Sequence, residues 1–326
     1  MNTSENIELA PISFTPYLKS VIWGGDKICT YKQIPQTEAN IGESWEISAV
    51  PGHESVVEGG MYAGMSLVEL IRRFGDQLLG KSVNEKYEGK FPLLIKIIDA
   101  NDNLSVQVHP DDALAKARHN SLGKTEMWYI IDANANSKIY SGFKSSINAA
   151  EYERKVADGS FTDVIAVHDS APGDIFFLPA GRVHAIGAGN LLAEIQESSD
   201  ITYRIFDYNR RDAKGKPREL HTELAKDAID YTVHPDYKSV APSTDIKDAE
   251  IAKCSHFNVH RILIDGKINL DLSYDSFTII MCLEGNVNLH YHNGMHGMRN
   301  GHTVLLPALL TSLTVSGTGT LLLVHV

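Results

Sequence analysis

The sequence predicts a mainly β chain, built as two barrel- or sandwich-like domains with a few added helices. Three observations carry that reading. Short apolar runs punctuated by Gly, Pro, Asn and Asp recur throughout, and from Phe257 onward they follow one another roughly every 8–12 residues, the spacing of a sandwich or small barrel. Capped, helix-length segments are few. Finally, GDIFFLPAGRVH (173–184) and GHTVLLPALLTS (301–312) share Gly, a hydrophobic run ending in Leu, and then Pro-Ala, so each half holds a turn, a buried strand and a sharp exit.

In chain order, residues 1–60 read as short strands and turns around WGG (23–25) and GESWEISAV (42–50). Ser66–Leu79 is the first helix, opened by a Ser-x-x-Glu capping box and stopped by Gly80. Phe91–Ile98 and Ser105–Val108 are buried strands, and DDALAKARHN (111–120) is a short helix with acidic residues at its start. Glu126–Asp132, rich in bulky and β-branched residues, is a strand. Asn148–Ala157 is helical, and Val164–His168, Ile175–Leu178 and Leu191–Gln196 are strands divided by PGD and PAG turns. A further helix spans Thr222–Tyr231, capped by Thr222. HPDYKSVAPSTD (234–245) has the composition of a linker, which places the domains at 1–236 and 237–326.

With 326 residues and a formal net charge of -11, the chain is not a general nucleic-acid or membrane binder, and an anionic ligand needs a local cluster of Lys and Arg. The cysteines, Cys29, Cys254 and Cys282, are far apart with no C-x-x-C, which predicts a reducing cytoplasm. The first twenty residues lack the basic and apolar regions of a signal peptide, and no apolar run has membrane-spanning length.

Gln107 and His109 in LSVQVHPDD (104–112) alternate on a strand, so both reach one point. Alone, such a pair reads as a strand's polar face. Glu126 in GKTEMWYII and His184 in GDIFFLPAGRVHAIG change that reading, because buried ionisable groups need partners and a shared cation supplies one. Two imidazoles, a carboxylate and an amide carry one negative charge and suit Zn²⁺, with Fe²⁺, Mn²⁺, Co²⁺ or Ni²⁺ as other metals for the same donors. In the second half of the repeat Ser312 stands where His184 stands in the first, and Thr278 takes the place of Glu126. HYHNGMH (290–296) also carries alternating histidines, but Asn293-Gly294 marks it as an exposed hairpin.

Gly173, Pro179, Gly181 and His184 match the Gly-x5-Pro-x-Gly-x2-His motif of the cupin superfamily. Ser105-x-Gln107-x-His109-Pro110, Lys124-Thr125-Glu126 and the spacing His184…Glu194…Arg204 resemble type I mannose-6-phosphate isomerase in its short bacterial form. The similarity runs from WGG through Arg204, with a weaker echo at the C-terminal end. It implies two cupin-type (jelly-roll) β-barrels, the second without metal ligands. It further implies an enzyme interconverting mannose 6-phosphate and fructose 6-phosphate, with Zn²⁺ on Gln107, His109, Glu126 and His184 and with Arg204 as the catalytic arginine. The expected partner is a sugar phosphate, and the expected assembly a monomer or small homo-oligomer.

Such an isomerisation moves a proton between C1 and C2 through an enediol. Glu194, facing with Leu192 and Gln196, is either the base or a structural partner of Arg204. Lys124 faces with Glu126 and either stabilises the enediolate, assists ring opening or is solvated. Arg204 lies in an apolar-aromatic stretch, where its fork suits phosphate or sugar oxygens; the competing account is a salt bridge to Asp207 or Glu194. Lys96, inside FPLLIKII, is a second phosphate or sugar contact, or else a strand-edge lysine with its stem on apolar surface. Ser105 shares the face of Gln107 and His109 and is a candidate substrate contact. Two other classes fit less well: an Fe²⁺ cupin oxygenase, which the glutamine ligand and Lys-x-Glu pair oppose, and a non-enzymatic sugar-binding barrel, plausible for 246–326 alone.

Overall fold

The computed structural model describes residues 9–211, 214–292 and 294–326. It is mainly β, as expected, with strands in sheets of eight, six and five. Two compact units form, and each is discontinuous in sequence. The site unit comprises Tyr17–Trp45 and Leu93–Ala241, and the terminal unit the described part of Met1–Pro16 with Glu46–Pro92 and Pro242–Val326. The sequence boundary at 236/237 therefore differs from the structural division. Its last cut, at Ala241/Pro242, falls inside the linker-like segment, but the strand Ile12–Thr15 joins the terminal unit by pairing with Thr303–Leu306 and Val56–Val57.

In the site unit a six-stranded sheet orders Ile175–Leu178, Glu126–Ala133, Asn190–Glu197, Leu93–Ala100, Ile41–Ile47 and Tyr17–Gly25. A five-stranded sheet orders Tyr203–Phe206, Val106–Val108, His184–Ile186, Lys138–Phe143 and Ile165–Asp169. The two share one core: Ile98, Trp128, Phe176 and Leu192 from the first pack with Ile139 and Ile186 from the second. They form an open sandwich, the jelly-roll arrangement expected, and hydrogen bonding stops at the outer strands of each sheet. The other face of the five-stranded sheet is covered by helices, with Val106, Val108, Val183, Ala185, Tyr203 and Ile205 packed with Tyr152 and Ala225. Strand alternation then sends Gln107, His184 and Arg204 to the inner side.

The terminal unit is a single eight-stranded sheet. The short strands expected after Phe257 are halves of three 14-residue strands, Asn258–Asp271, Thr278–Tyr291 and Ser312–His325. Each contains a positive-φ glycine near its middle: Gly266, Gly285 and Gly317. A Cβ on Gly285 would lie 2.0 Å from the Thr318 carbonyl oxygen, so only glycine permits the two strands to approach there. Residues on both sides of these glycines, including Ile264 and Leu270, Cys282 and Leu289, and Val315 and Leu321, bury one core.

The repeat holds in detail. Ile175–Leu178 and Thr303–Leu306 each follow a positive-φ glycine, Gly173 and Gly301. Leu178 pairs with Glu126, and Leu306 pairs with Thr278. The hairpin expected at 290–296 forms with Tyr291 opposite Gly294, Asn293 lying outside the described residues.

The first helix has its capping box on Ser66 but breaks at Gly75 (φ 46°) into Leu67–Phe74 and Asp76–Leu79. The last helix is Thr222–Ala228, and its cap residue is His221, not Thr222. Among the described residues no helix is long and apolar enough to cross a membrane.

Candidate active site

The four ligand candidates come from both sheets. Gln107 stands opposite Arg204 on one side and His184 on the other, so these three form a row across the five-stranded sheet. Glu126 begins a strand of the facing sheet. The Gly181 amide donates to the His109 carbonyl at 2.9 Å, tying the turn before His184 to the other histidine. Gly181 does this at φ +89°, where a Cβ would also sit 3.1 Å from the Ala228 carbonyl oxygen.

His184 Nε2 lies 3.2 Å from Glu126 Oε1, and His109 Nε2 lies 3.6 Å from Glu126 Oε2. The Gln107 amide is 3.4 Å from His184 Nε2, and an amide rotation of half a turn brings its oxygen to the same place. Ligand atoms around a tetrahedral zinc stand roughly 3.3 Å apart, given bonds of about 2.0–2.1 Å. Each imidazole faces its Nδ1 to a backbone carbonyl, His109 to Ile201 at 2.9 Å and His184 to Arg182 at 2.8 Å, which leaves both Nε2 lone pairs aimed at Glu126. Both Glu126 oxygens and His109 Nε2 are buried without a hydrogen-bond partner. Burial pushes the Glu126 carboxyl up to about 7 against the pull of Lys124, holds His109 well below the usual histidine value, and brings His184 to about 4. Neutral imidazoles and a carboxylate starved of hydrogen bonds fit a divalent cation.

Beside this set opens a cavity of about 360 Å³, lined by Lys96, Ser105, Gln107, Lys124, Glu194 and Arg204 among others. The predicted residues are thus together, but their partners differ from those anticipated. Glu194 pairs with Lys96 at 2.9 Å and accepts from the Trp128 indole at 2.8 Å, not from Arg204. Burial alone would raise its pKa, yet Lys96 and Lys124 hold it at about 2. Lys96 is no strand-edge residue: it is buried in a central strand, between Glu194 and Glu43, the latter at 3.7 Å. Lys124 Nζ stands 3.4 Å from Glu126 Oε2 and is buried, not solvated. Ser105 donates to the Gln107 amide oxygen and accepts from Arg204 Nε, each at 3.3 Å. Arg204 also donates to the Glu219 carbonyl at 2.9 Å, and neither Asp207 nor Glu194 forms the salt bridge weighed above. Asp207 instead takes the forks of Arg210 and Arg218.

Sequence reasoning missed Glu43, Trp45, Trp128 and Arg218. Three of them carried a signal: Trp128 is two residues from Glu126, and Glu43 and Trp45 alternate in GESWEI, so each pair shares a face. The Trp45 indole donates to Glu43 at 2.7 Å. Arg218 sits outside any strand or helix, and its arrival at the cavity follows from tertiary folding alone.

Comparison with known proteins identifies the family. Residues 12–145 match the family description "Phosphomannose isomerase type I, catalytic domain", and residues 247–326 match "Mannose-6-phosphate isomerase, cupin domain". The chain is 34% identical over 310 residues to mannose-6-phosphate isomerase ManA of Bacillus subtilis, covering 94% of this chain and 96% of that protein. It is 32% identical to a mannose-6-phosphate isomerase of Streptococcus mutans, with 94% and 95% coverage. The crystal structure of a mannose 6-phosphate isomerase from Bacillus subtilis superposes with a TM-score of 0.84 at 32% identity, covering 98% of this chain and all of that one. This chain belongs to the type I mannose-6-phosphate isomerase family.

Proposed function

We propose that the chain is an aldose–ketose isomerase that interconverts mannose 6-phosphate and fructose 6-phosphate, with Zn²⁺ as the metal held by Gln107, His109, Glu126 and His184. The observation that carries this reading is the row Arg204–Gln107–His184, which sets a guanidinium beside the donor set; Gln107 and Arg204 open onto the cavity, and Glu126 and His109 keep buried atoms without hydrogen-bond partners. A divalent cation there supplies Lewis-acid stabilisation of negative charge developing on the sugar's C1 or C2 oxygen.

Arg204 adds a fixed positive charge to the same region. Its side-chain partners are neutral, Ser105 and the Glu219 carbonyl, so its charge is left for substrate oxygens. Arg218 lines the cavity and shares Asp207 with Arg210, which also pairs with Asp102, so Arg204 and Arg218 are the two guanidinium groups this wall offers to the phosphate. Lys96 is answered by Glu194 and Glu43, so its role is to orient Glu194 and sugar hydroxyls rather than to bind phosphate. Glu194, with both oxygens committed and a pKa near 2, is too weak a base for a carbon acid and acts as a fixed anion. Lys124, beside the donor set and lining the cavity, is the group we assign to stabilising the enediolate and assisting ring opening. Ser105 holds Gln107 and Arg204 in mutual register.

Three cysteines without disulfides support a cytoplasmic setting. A monomer or small homo-oligomer remains our proposal for the assembly.

The test is a coupled isomerase assay on chelator-stripped protein, restored with one metal at a time. Activity is expected to vanish on stripping and to return best with zinc. Undiminished turnover in protein shown to be metal-free overturns the proposal.

A further inference from the structure

We infer that His221 is a positioning residue for Arg204, acting through the lone pair on its Nδ1 atom. The inference rests on the isomerase reading only for the choice of substrate in its test. Arg204 lies in Tyr203–Phe206, an edge strand of the five-stranded sheet. In an antiparallel ladder a residue's N–H and C=O point to the same side. For Arg204 that side is the outer one, where the sheet offers no further strand.

His221 fills the gap with two bonds. Its backbone N–H donates to the Arg204 carbonyl at 2.7 Å, and the Arg204 N–H donates to His221 Nδ1 at 3.2 Å. The imidazole nitrogen thus stands in for the carbonyl of a missing strand. Because a backbone N–H can only donate, Nδ1 must accept, and the ring proton belongs on Nε2, which faces the Glu219 carboxylate at 3.9 Å. Burial and the charge of Arg204 keep the His221 pKa below its ordinary value, so the lone pair is free near neutral pH.

Two further facts separate this from incidental packing. His221 is the N-cap residue of the helix Thr222–Ala228, yet its side chain makes no capping bond. A residue type poor at capping occupies that place, its polar atom spent on the strand instead. The same short segment also holds the guanidinium, since the Glu219 carbonyl accepts from Arg204 Nη1 at 2.9 Å. Backbone and side chain of Arg204 are therefore fixed from one tripeptide, Glu219–His221. Losing the Nδ1 contact frees the edge of the strand at the residue whose aim matters most, and a misplacement of about 1 Å costs on the order of 100-fold in rate.

The test compares three substitutions in the zinc-loaded enzyme. Asn places an acceptor oxygen where Nδ1 stands, whereas Gln places it near Nε2. His221→Ala and His221→Gln are expected to lower kcat about 10- to 100-fold, with metal content unchanged and KM altered less. His221→Asn is expected to recover most of the lost turnover. In protein labelled with [15N]arginine, the Arg204 Nε–H signal, identified by its loss in Arg204→Lys, should move in the Ala and Gln variants and return towards its wild-type position in the Asn variant. Equal activity in all three variants, or an arginine signal that stays put in His221→Ala, overturns the inference. Should the wild-type protein fail to turn over sugar phosphates, the functional reading falls, while the arginine signal still decides the role of His221.

Discussion

Lys96 shows how tightly single side chains are balanced in this cavity. It is 6% exposed and sits between two carboxylates, each of which also takes an indole N–H: Glu194 from Trp128 and Glu43 from Trp45. Replacing it with Met leaves two buried anions facing each other. Lys96→Met is therefore expected to cost about 3–5 kcal/mol in urea unfolding, far more than an exposed lysine, whose loss is worth about 0–1 kcal/mol. Arg204 differs, since its partners are a hydroxyl and a carbonyl. Arg204→Ala should lower kcat/KM by about 100- to 1,000-fold and leave the unfolding midpoint nearly unchanged, as steady-state kinetics and thermal melts on one preparation will show. Alternation puts Gln107 and His109 of the Q-x-H pattern on one face, while Glu126 and His184 join them in the sequence through their buried-looking settings and the family resemblance. The same reasoning could not supply their counter-ions. Spacing leaves Glu194 as either a base or a partner of Arg204, ten residues on, whereas the sheet register sets it opposite Lys96, nearly a hundred residues back.

At the level of elements, turns decide where the chemistry sits. Gly181 holds φ +89° just before His184, and its N–H reaches the His109 carbonyl. Gly181→Ala is expected to cost about 1–3 kcal/mol of backbone strain and to weaken metal binding, which a competitive chelator titration measures directly. The loop after the arginine strand is organised around Asp207. Burial would raise its pKa, but the Arg218 and Arg210 forks bring it below the ordinary 3.8. A carboxyl depressed in the folded state stabilises the fold above its unfolded pKa, and that contribution fades as pH falls through the lower folded value. The stability gap between wild type and Asp207→Asn should thus be full at pH 6 and shrink below about pH 3.8, measured by urea unfolding at both ends. Helix ends were legible where Ser66 and Asn148 build capping boxes. They were misread at His221, because the side chain there answers a strand rather than its own helix.

For the molecule as a whole, the class and the repeat could be read from turn residues and strand runs. The division into units could not, since Ile12–Thr15 joins a strand nearly three hundred residues later, a pairing with no local signature. The long bent strands were likewise hidden, as a glycine that kinks a strand and one that ends it look alike in one dimension. Cysteine chemistry gives a check at this scale. Cys29 and Cys282 are buried, and burial raises both thiols, Cys282 to about 12. An aromatic disulfide reagent should titrate no more than one thiol in the native protein, at Cys254, and three after denaturation.

The correspondence of Leu178–Glu126 with Leu306–Thr278 means that the chain carries its own blank. On the proposed function one copy of the motif bears the burden of chemistry, and the other keeps turn, strand and register while being excused from it. Comparing how much mutation each copy tolerates at matched positions would reveal, within a single molecule, what constraint catalysis adds to a fold that is already stable.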